Sequence, residues 1–311
     1  MTTVPPGPHG KAPHQSQAEC HSLTIAVGIA TASRPAIVSE AVRRLALQTR
    51  QPEAIVVCAP TPTDVAGLDD ESARVTLLLG PRGAAAQRNA ILDHAAPYDI
   101  VIFFDDDFVP AADYLAQLEE LHITSPDVVM ATGTVLKDGI RGPGLTYVDA
   151  DALLAHRKHL PGDQIVPVTN GYGCNMSVAM NAIRDQRLRF DERLPLYSWL
   201  EDVDFGHRLA KHGTIVRSSR LIGVHLGVKI GRQPGRRFGY SQIANPIYLR
   251  RKGSLGLARA AYLVVRNVSM NIARSLKSEP WIDRRGRLAG NILALGHLAR
   301  RRLDPRHILE L

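Results

Sequence analysis

Three consecutive aspartates, Asp105-Asp106-Asp107, follow the apolar run Ile100 to Phe104 and precede Phe108-Val109-Pro110. Adjacent carboxylates repel one another, so stability alone does not account for three of them at the end of a buried strand. A hard divalent cation offsets that repulsion, and Mn²⁺ or Mg²⁺ takes oxygen ligands. Carboxylates at alternate positions could then serve the cation and a ribose hydroxyl, with Asp106 turned toward the helices. A solvated acidic turn ended by Pro110 would also place acids here, but it leaves the buried strand in front of them unexplained.

A second acidic group, Glu201-Asp202, opens the helical pattern Val203, Phe205, Leu209, with Asp204 in a structural place. Acids there complement the helix dipole. They also suit proton removal, because one carboxylate within hydrogen-bond reach makes a hydroxyl a competent nucleophile. Tyr197 and Trp199 stand next to this pair and offer either apolar ring faces to a ligand or core packing. Gly171 and Gly173 permit close backbone approach to a ligand. Arg82 and Arg88 could contact phosphate.

The elements that must position these residues alternate through the first 105 residues. Strands are expected at Leu23 to Ile29, Ala54 to Cys58, Val75 to Leu79 and Ile100 to Phe104, with helices at Ala36 to Gln48 and Gly83 to His94. Alternation of this kind argues for an α/β fold with a parallel sheet between helices. Ligands of such sheets bind beyond the carboxyl ends of the strands, where the acidic triplet falls. Further on, strands are expected at Val128 to Leu136, Ile165 to Val168, Ile215 to Val216 and Leu221 to His225, and a helix over Trp199 to His212. Helices follow at Tyr240 to Arg251, Leu255 to Lys277 and Arg285 to Arg302.

Five segments, in order, resemble the family 2 glycosyltransferases. Ile29-Ala30-Thr31-Ala32-Ser33-Arg34-Pro35 is similar to that family's opening loop, and Gln87-Arg88-Asn89 to its Ala-Arg-Asn segment. The strand ending in Asp105-Asp106-Asp107 is similar to its Asp-x-Asp motif, Gly173-Cys174-Asn175-Met176-Ser177 to its acceptor-side loop, and Trp199 to Asp204 to its Glu-Asp-x-Asp helix start. The resemblance implies a GT-A fold: a three-layer α/β/α sandwich with a mainly parallel sheet, plus C-terminal helices. It also implies inverting transfer of a hexose-type sugar from a nucleotide-diphosphate sugar to a saccharide or lipid-linked saccharide in polysaccharide biosynthesis, with Mn²⁺ or Mg²⁺. In that scheme Thr31, Arg34, Arg88, Asn89, Asp105 and Asp106 contact the donor, Asp105 beside the ribose. Asp107 binds the metal, with His225 as a further ligand. Asp202 is the general base, favoured over Glu201, and Asn175, Trp199 and Glu201 face the acceptor. One departure stands out: Val56-Val57-Cys58-Ala59-Pro60 replaces the acid that usually meets the nucleobase, and Asp64 is the nearest substitute.

The chain divides into a tail at residues 1–21, rich in Pro, His, Gly and Gln and expected to be disordered, a catalytic region at 22–228, and a basic helical region at 229–311. From Lys229 to Leu311 there are 18 Lys and Arg against 4 Asp and Glu, while the first 228 residues hold 20 basic and 26 acidic ones. That split marks the C-terminal quarter as a surface for something anionic. Ala258, Tyr262, Val265, Ser269, Ile272 and Leu276 recur at helical spacing after Leu255, as do Leu288, Ile292, Leu295 and Leu298. Basic amphipathic helices suit an anionic membrane surface, or pack on the catalytic region or on a second subunit in a homodimer.

Three scattered cysteines, Cys20, Cys58 and Cys174, indicate neither a disulfide framework nor a thiolate zinc site. No run of apolar residues is long enough for a spanning helix to be expected. A reducing cytoplasm is the expected compartment, with peripheral attachment at the inner face of the cell membrane if lipid is bound. His156 and His159, in a basic stretch, are expected to face solvent.

Two rivals explain less. A sugar nucleotidyltransferase needs a glycine-rich loop with Arg and Lys after the first strand, and Ala30 to Arg34 has none. A non-enzymatic binder of nucleic acid or membrane leaves both acidic groups unexplained. With 5% aromatic residues there are few platforms for stacking bases, so no nucleic acid is expected.

Overall fold

The computed structural model describes residues 22–68, 74–157, 164–276 and 279–311. The tail through Cys20, His159 and the helix end expected at Lys277 lie outside the described residues. Strand β1 (Ile25–Ala30) leads into α1 (Pro35–Leu45), whose first-turn proline brings a φ already suited to a helix. β2 (Ala54–Ala59), β3 (Val75–Leu79), α2 (Ala84–His94) and β4 (Ile100–Asp105) follow where the apolar runs and helical spacing put them. Beyond the triplet come β5 (Phe108–Pro110), α3 (Tyr114–Thr124), β6 (Val128–Asp138), α4 (Tyr147–Ala155) and β7 (Ile165–Pro167). Next are β8 (Asn175–Ala179), α5 (Met180–Gln186), α6 (Glu201–Leu209) and β9 (Thr214–His225). Helices α7 (Gly235–Lys252), α8 (Leu257–Ser275) and α9 (Arg284–Ala299) complete the C-terminal region.

The sheet runs β3-β2-β1-β4-β8-β6-β9-β5, with β7 on β9. It is parallel across β3-β2-β1-β4, as the alternation requires, and mixed beyond, where β8 pairs antiparallel with both β4 and β6. Strand alternation splits the core into two layers. On one face Val27, Ile29, Ile102 and Phe104 pack with Val38 and Val42 of α1 and Leu115 and Leu118 of α3. On the other, Val56, Val101 and Phe103 pack with Ile91 of α2, Ile183 of α5 and Phe205 of α6.

Five elements were not legible in the residues: α3, α4, α5, β5 and the five-residue β8. The expected pair Ile215 to Val216 and Leu221 to His225 is one strand, whose register shifts opposite Gly133 and Thr134 of β6. The helix expected from Trp199 begins at Glu201, because Leu200 is left-handed. In the C-terminal region α7 and α9 approach closely through small residues. A Cβ on Gly239 would overlap the Arg287 backbone, and one on Gly290 the backbone of Arg236. Leu249, Leu255 and Ala260 pack on Leu194, Leu200 and Val203, fastening these helices to the segment that leads into α6. His156 is exposed, as expected.

Candidate active site

β4 ends at Asp105 on the carboxyl edge of the parallel strands, and β5 turns back so that Phe108 pairs with His225 of β9. This register carries His225 to the acidic turn across 118 positions of sequence. His225 Nε2 lies 3.1 Å from Asp107 Oδ1 and 4.0 Å from Asp105 Oδ2. One ligand atom from each of the three falls within 4.8 Å of the others. The opposite ring nitrogen, Nδ1, is 3.1 Å from Asp138 Oδ1 at the end of β6, and Tyr172 Oη donates to Asp138 Oδ2 at 2.8 Å. A carboxylate on the far nitrogen fixes the orientation of a ligating imidazole. Two carboxylate oxygens and one oriented imidazole nitrogen fit Mn²⁺ or Mg²⁺.

Burial opposes charge on His225, but the hydrogen bonds with Asp107 and Asp138 outweigh it and raise the imidazole to about 10, so a cation held by Nε2 would have to displace its proton. Asp138 is correspondingly low, about 2, where burial is overcome by His225 and Tyr172. The backbone beneath is tightly apposed. Gly227 has φ +65°, and a Cβ there would overlap the backbone of Gly139, so only glycine lets the end of β6 meet the segment after β9. Val228 N donates to Asp107 Oδ2 at 2.7 Å from that segment.

Asp106 is buried beside this cluster, linked to it by Arg34 Nη1, which lies 3.7 Å from Asp107 Oδ2, and both its oxygens are engaged. Thr31 Oγ1 donates to Oδ2 at 2.6 Å and Arg34 Nη1 to Oδ1 at 2.8 Å. Arg34 Nε also donates to Ile230 O. Thr31, Arg34 and Asp106, expected as separate donor contacts, thus bind one another and tie the loop after β1 to the triplet. Burial, only partly offset by Arg34, raises Asp106 to about 6.

Four further residues expected at the site are buried against other parts of the protein. Arg88 is 4% exposed, and its guanidinium serves Glu201, Asp105 Oδ1 at 3.2 Å and Gly173 O at 2.9 Å. It is a strut between elements. Glu201 is buried with it, so its carboxylate meets Arg88 where an acceptor contact was expected. Asn89 donates to Phe190 O and Glu192 and accepts from Phe190 N, so it clamps the segment after α5. Asn175 is fully buried; Thr132 Oγ1 donates to its Oδ1 at 2.6 Å, and its Nδ2 has no partner among the described residues. Asp64, the substitute considered for the nucleobase contact, accepts from Thr61 N and Ser33 N and supports Ser33 at φ +62°.

Asp202 opens toward a cavity of about 600 Å³, walled also by Thr132, Asn170, Tyr172, Arg217 and Ser219. Val203 N donates to Asp202 Oδ1 at 2.8 Å and Gly173 N to Oδ2 at 3.3 Å. Burial raises this carboxyl above its ordinary value, against the pull of Arg88. The approach to α6 is strained. Leu196, Ser198 and Leu200 have φ of 61°, 54° and 76°, a region side chains enter rarely and where strain gathers at working sites. The N-terminus of α2 holds them there: Ala84 N donates to Leu196 O at 2.8 Å and Ala85 N to Ser198 Oγ at 3.1 Å. Trp199 is half-buried against Phe238, with ring centroids 5.9 Å apart, and packs on the Leu194–Leu249 cluster. Asp204 is fully buried among Arg208, Lys252 and Ser254, in a structural place.

Asp138, Thr132 and Arg217 join the site without having been expected from the sequence. Asp138 ends an apolar strand as Asp105 does, which is the one signal that marks it.

Neither a protein-family model nor a characterised protein sequence matches the chain. Solved structures do resemble it. The mannosyltransferase PcManGT of Pyrobaculum calidifontis, solved with GDP-Man and Mn²⁺, matches with a TM-score of 0.55 at 16% identity over 93% of this chain and 86% of its own. TarS of S. aureus, residues 1–349, matches with a TM-score of 0.54 at 14% identity over 83% of this chain and 76% of its own. GalNAc-T7 with UDP, GalNAc and Mn²⁺ matches with a TM-score of 0.52 at 12% identity over 93% of this chain and 57% of its own. At such identities the likeness establishes the fold, which is that of the GT-A glycosyltransferases.

Proposed function

We propose that this protein is an inverting glycosyltransferase that moves a sugar from a nucleotide-diphosphate sugar to a hydroxyl of a saccharide or lipid-linked saccharide. The observation that carries the reading is the meeting of Asp105, Asp107 and His225 at the sheet edge, with Asp202 at a cavity nearby. Asp107 and His225 would hold Mn²⁺ or Mg²⁺, and Asp105 the ribose or the same ion. When bound, the cation supplies neutralisation of the charge that grows on the departing diphosphate. Asp202 takes the acceptor proton as the acceptor oxygen bonds to the anomeric carbon and the bond to the phosphate oxygen breaks. A single base and a single displacement invert the anomeric centre. Arg88 holds Asp105 and the start of α6 in one frame, so the donor and acceptor halves keep their spacing.

The deciding experiment incubates purified protein and Mn²⁺ with a panel of uridine and guanosine diphosphate sugars. Release of nucleoside diphosphate, abolished by a chelator, is expected with at least one donor. No release, together with no nucleotide-induced thermal shift across the panel, would remove the proposal.

A further inference from the structure

The apolar stripe of α8 faces outward. Tyr262 and Val265 are each 62% exposed, Ile272 54% and Leu276 89%, and Trp281, just beyond the helix, is 48% exposed. The helix packs inward through its opposite face, with Ala260 and Asn271 buried and Val264 and Val268 against α7 and α9. Arg259 and Arg266 stand two turns apart along one margin of the stripe, and both are exposed. No described helix is long and apolar enough to cross a membrane. We infer that this face of α8, with Trp281, docks on an anionic lipid surface. An exposed aromatic and aliphatic stripe beside arginines enters the headgroup boundary of a bilayer while its cations meet lipid phosphates. The surrounding charge favours lipid over a second copy of the chain, because the region from Lys229 onward holds 18 basic against 4 acidic residues and two copies would oppose like charge.

The position of the face gives it a purpose, which rests on the transferase reading. Arg259, in the first turn of α8, reaches Thr169 Oγ1 and Asn170 Oδ1 at 3.4 and 3.5 Å, and Asn170 lines the cavity beside Asp202. Docking along α8 would set the cavity mouth near the headgroups, where a lipid-linked saccharide presents its hydroxyls.

The test is sedimentation of the full chain with vesicles of phosphatidylcholine alone and with about 30 mol % phosphatidylglycerol, which needs no donor or acceptor. Binding is expected only to the anionic vesicles, weakened by high salt, and lowered about tenfold or more by Tyr262→Ser with Ile272→Ser and by Arg259→Gln with Arg266→Gln. Unchanged circular dichroism and thermal midpoint certify that both variants fold. Equal binding to neutral vesicles, wild-type binding by the variants, or a dimer in solution that Tyr262→Ser with Ile272→Ser dissociates would each overturn the proposal.

Discussion

Arg88 of α2 and Glu201 of α6 form a buried ion pair, and the same guanidinium donates to Asp105 at the end of β4. One side chain therefore joins the acidic edge of the sheet to the helix that carries Asp202. Removing it leaves Glu201 buried without a cation. Arg88→Ala should cost about 3–5 kcal/mol of stability, read as a lower midpoint in urea unfolding. Arg88→Lys keeps the charge but cannot span the three acceptors; it should fold and lose roughly 10²-fold in turnover through misplacement alone. An unchanged midpoint for Arg88→Ala would show that the pair does not bear on stability.

Asp202→Asn keeps shape and removes the carboxylate that we propose takes the acceptor proton. Nucleotide binding by calorimetry should persist while transfer falls roughly 10²–10⁴-fold. If the variant turns over at a near-normal rate, the base lies elsewhere.

Asp138 touches only the outer nitrogen of His225, yet it sets the direction of the ring. Asp138→Asn should weaken Mn²⁺ binding about 10–100-fold, measured by titration of the free ion with paramagnetic resonance. Wild-type affinity in this variant would mean that His225 is not a ligand or needs no orienting partner.

His122 of α3 is a buried, neutral imidazole whose pKa burial lowers from 6.5 to about 4. Between these values the unfolded chain binds more protons than the folded one, so stability falls as pH drops from 6.5 towards 4. The total is about 3 kcal/mol. His122→Gln should flatten this part of the stability profile, measured by urea unfolding at successive pH values. A slope equal to that of the unaltered chain would place the acid sensitivity in other groups.

Much of the first half was legible because its signals are local. Ile100 to Phe104 reads as a buried strand and Pro35 as a helix start, and the acids of Asp105 to Asp107 sit at the strand end that α/β sheets use for ligands. The start of α6 at Glu201-Asp202 was marked by its acids, though not the left-handed Leu200 that sets it. β8 was not legible because Asn175 and Ser177 are polar yet fully buried, so the segment shows no apolar run, and its antiparallel entry depends on β4 and β6 already being in place.

The sequence by itself determined which acids stand at the ends of which elements, since strand and helix periodicity are properties of neighbouring residues. Only the tertiary structure decided which of those acids share a site. Adjacent side chains on a turn diverge, so Asp106 goes to Thr31 and Arg34 while Asp107 goes to His225, a partner brought by strand pairing from far along the chain. The direction of the α8 stripe was decided in the same way: periodicity marks an apolar face, but only the packing of α7 and α9 on the other side turns it outward.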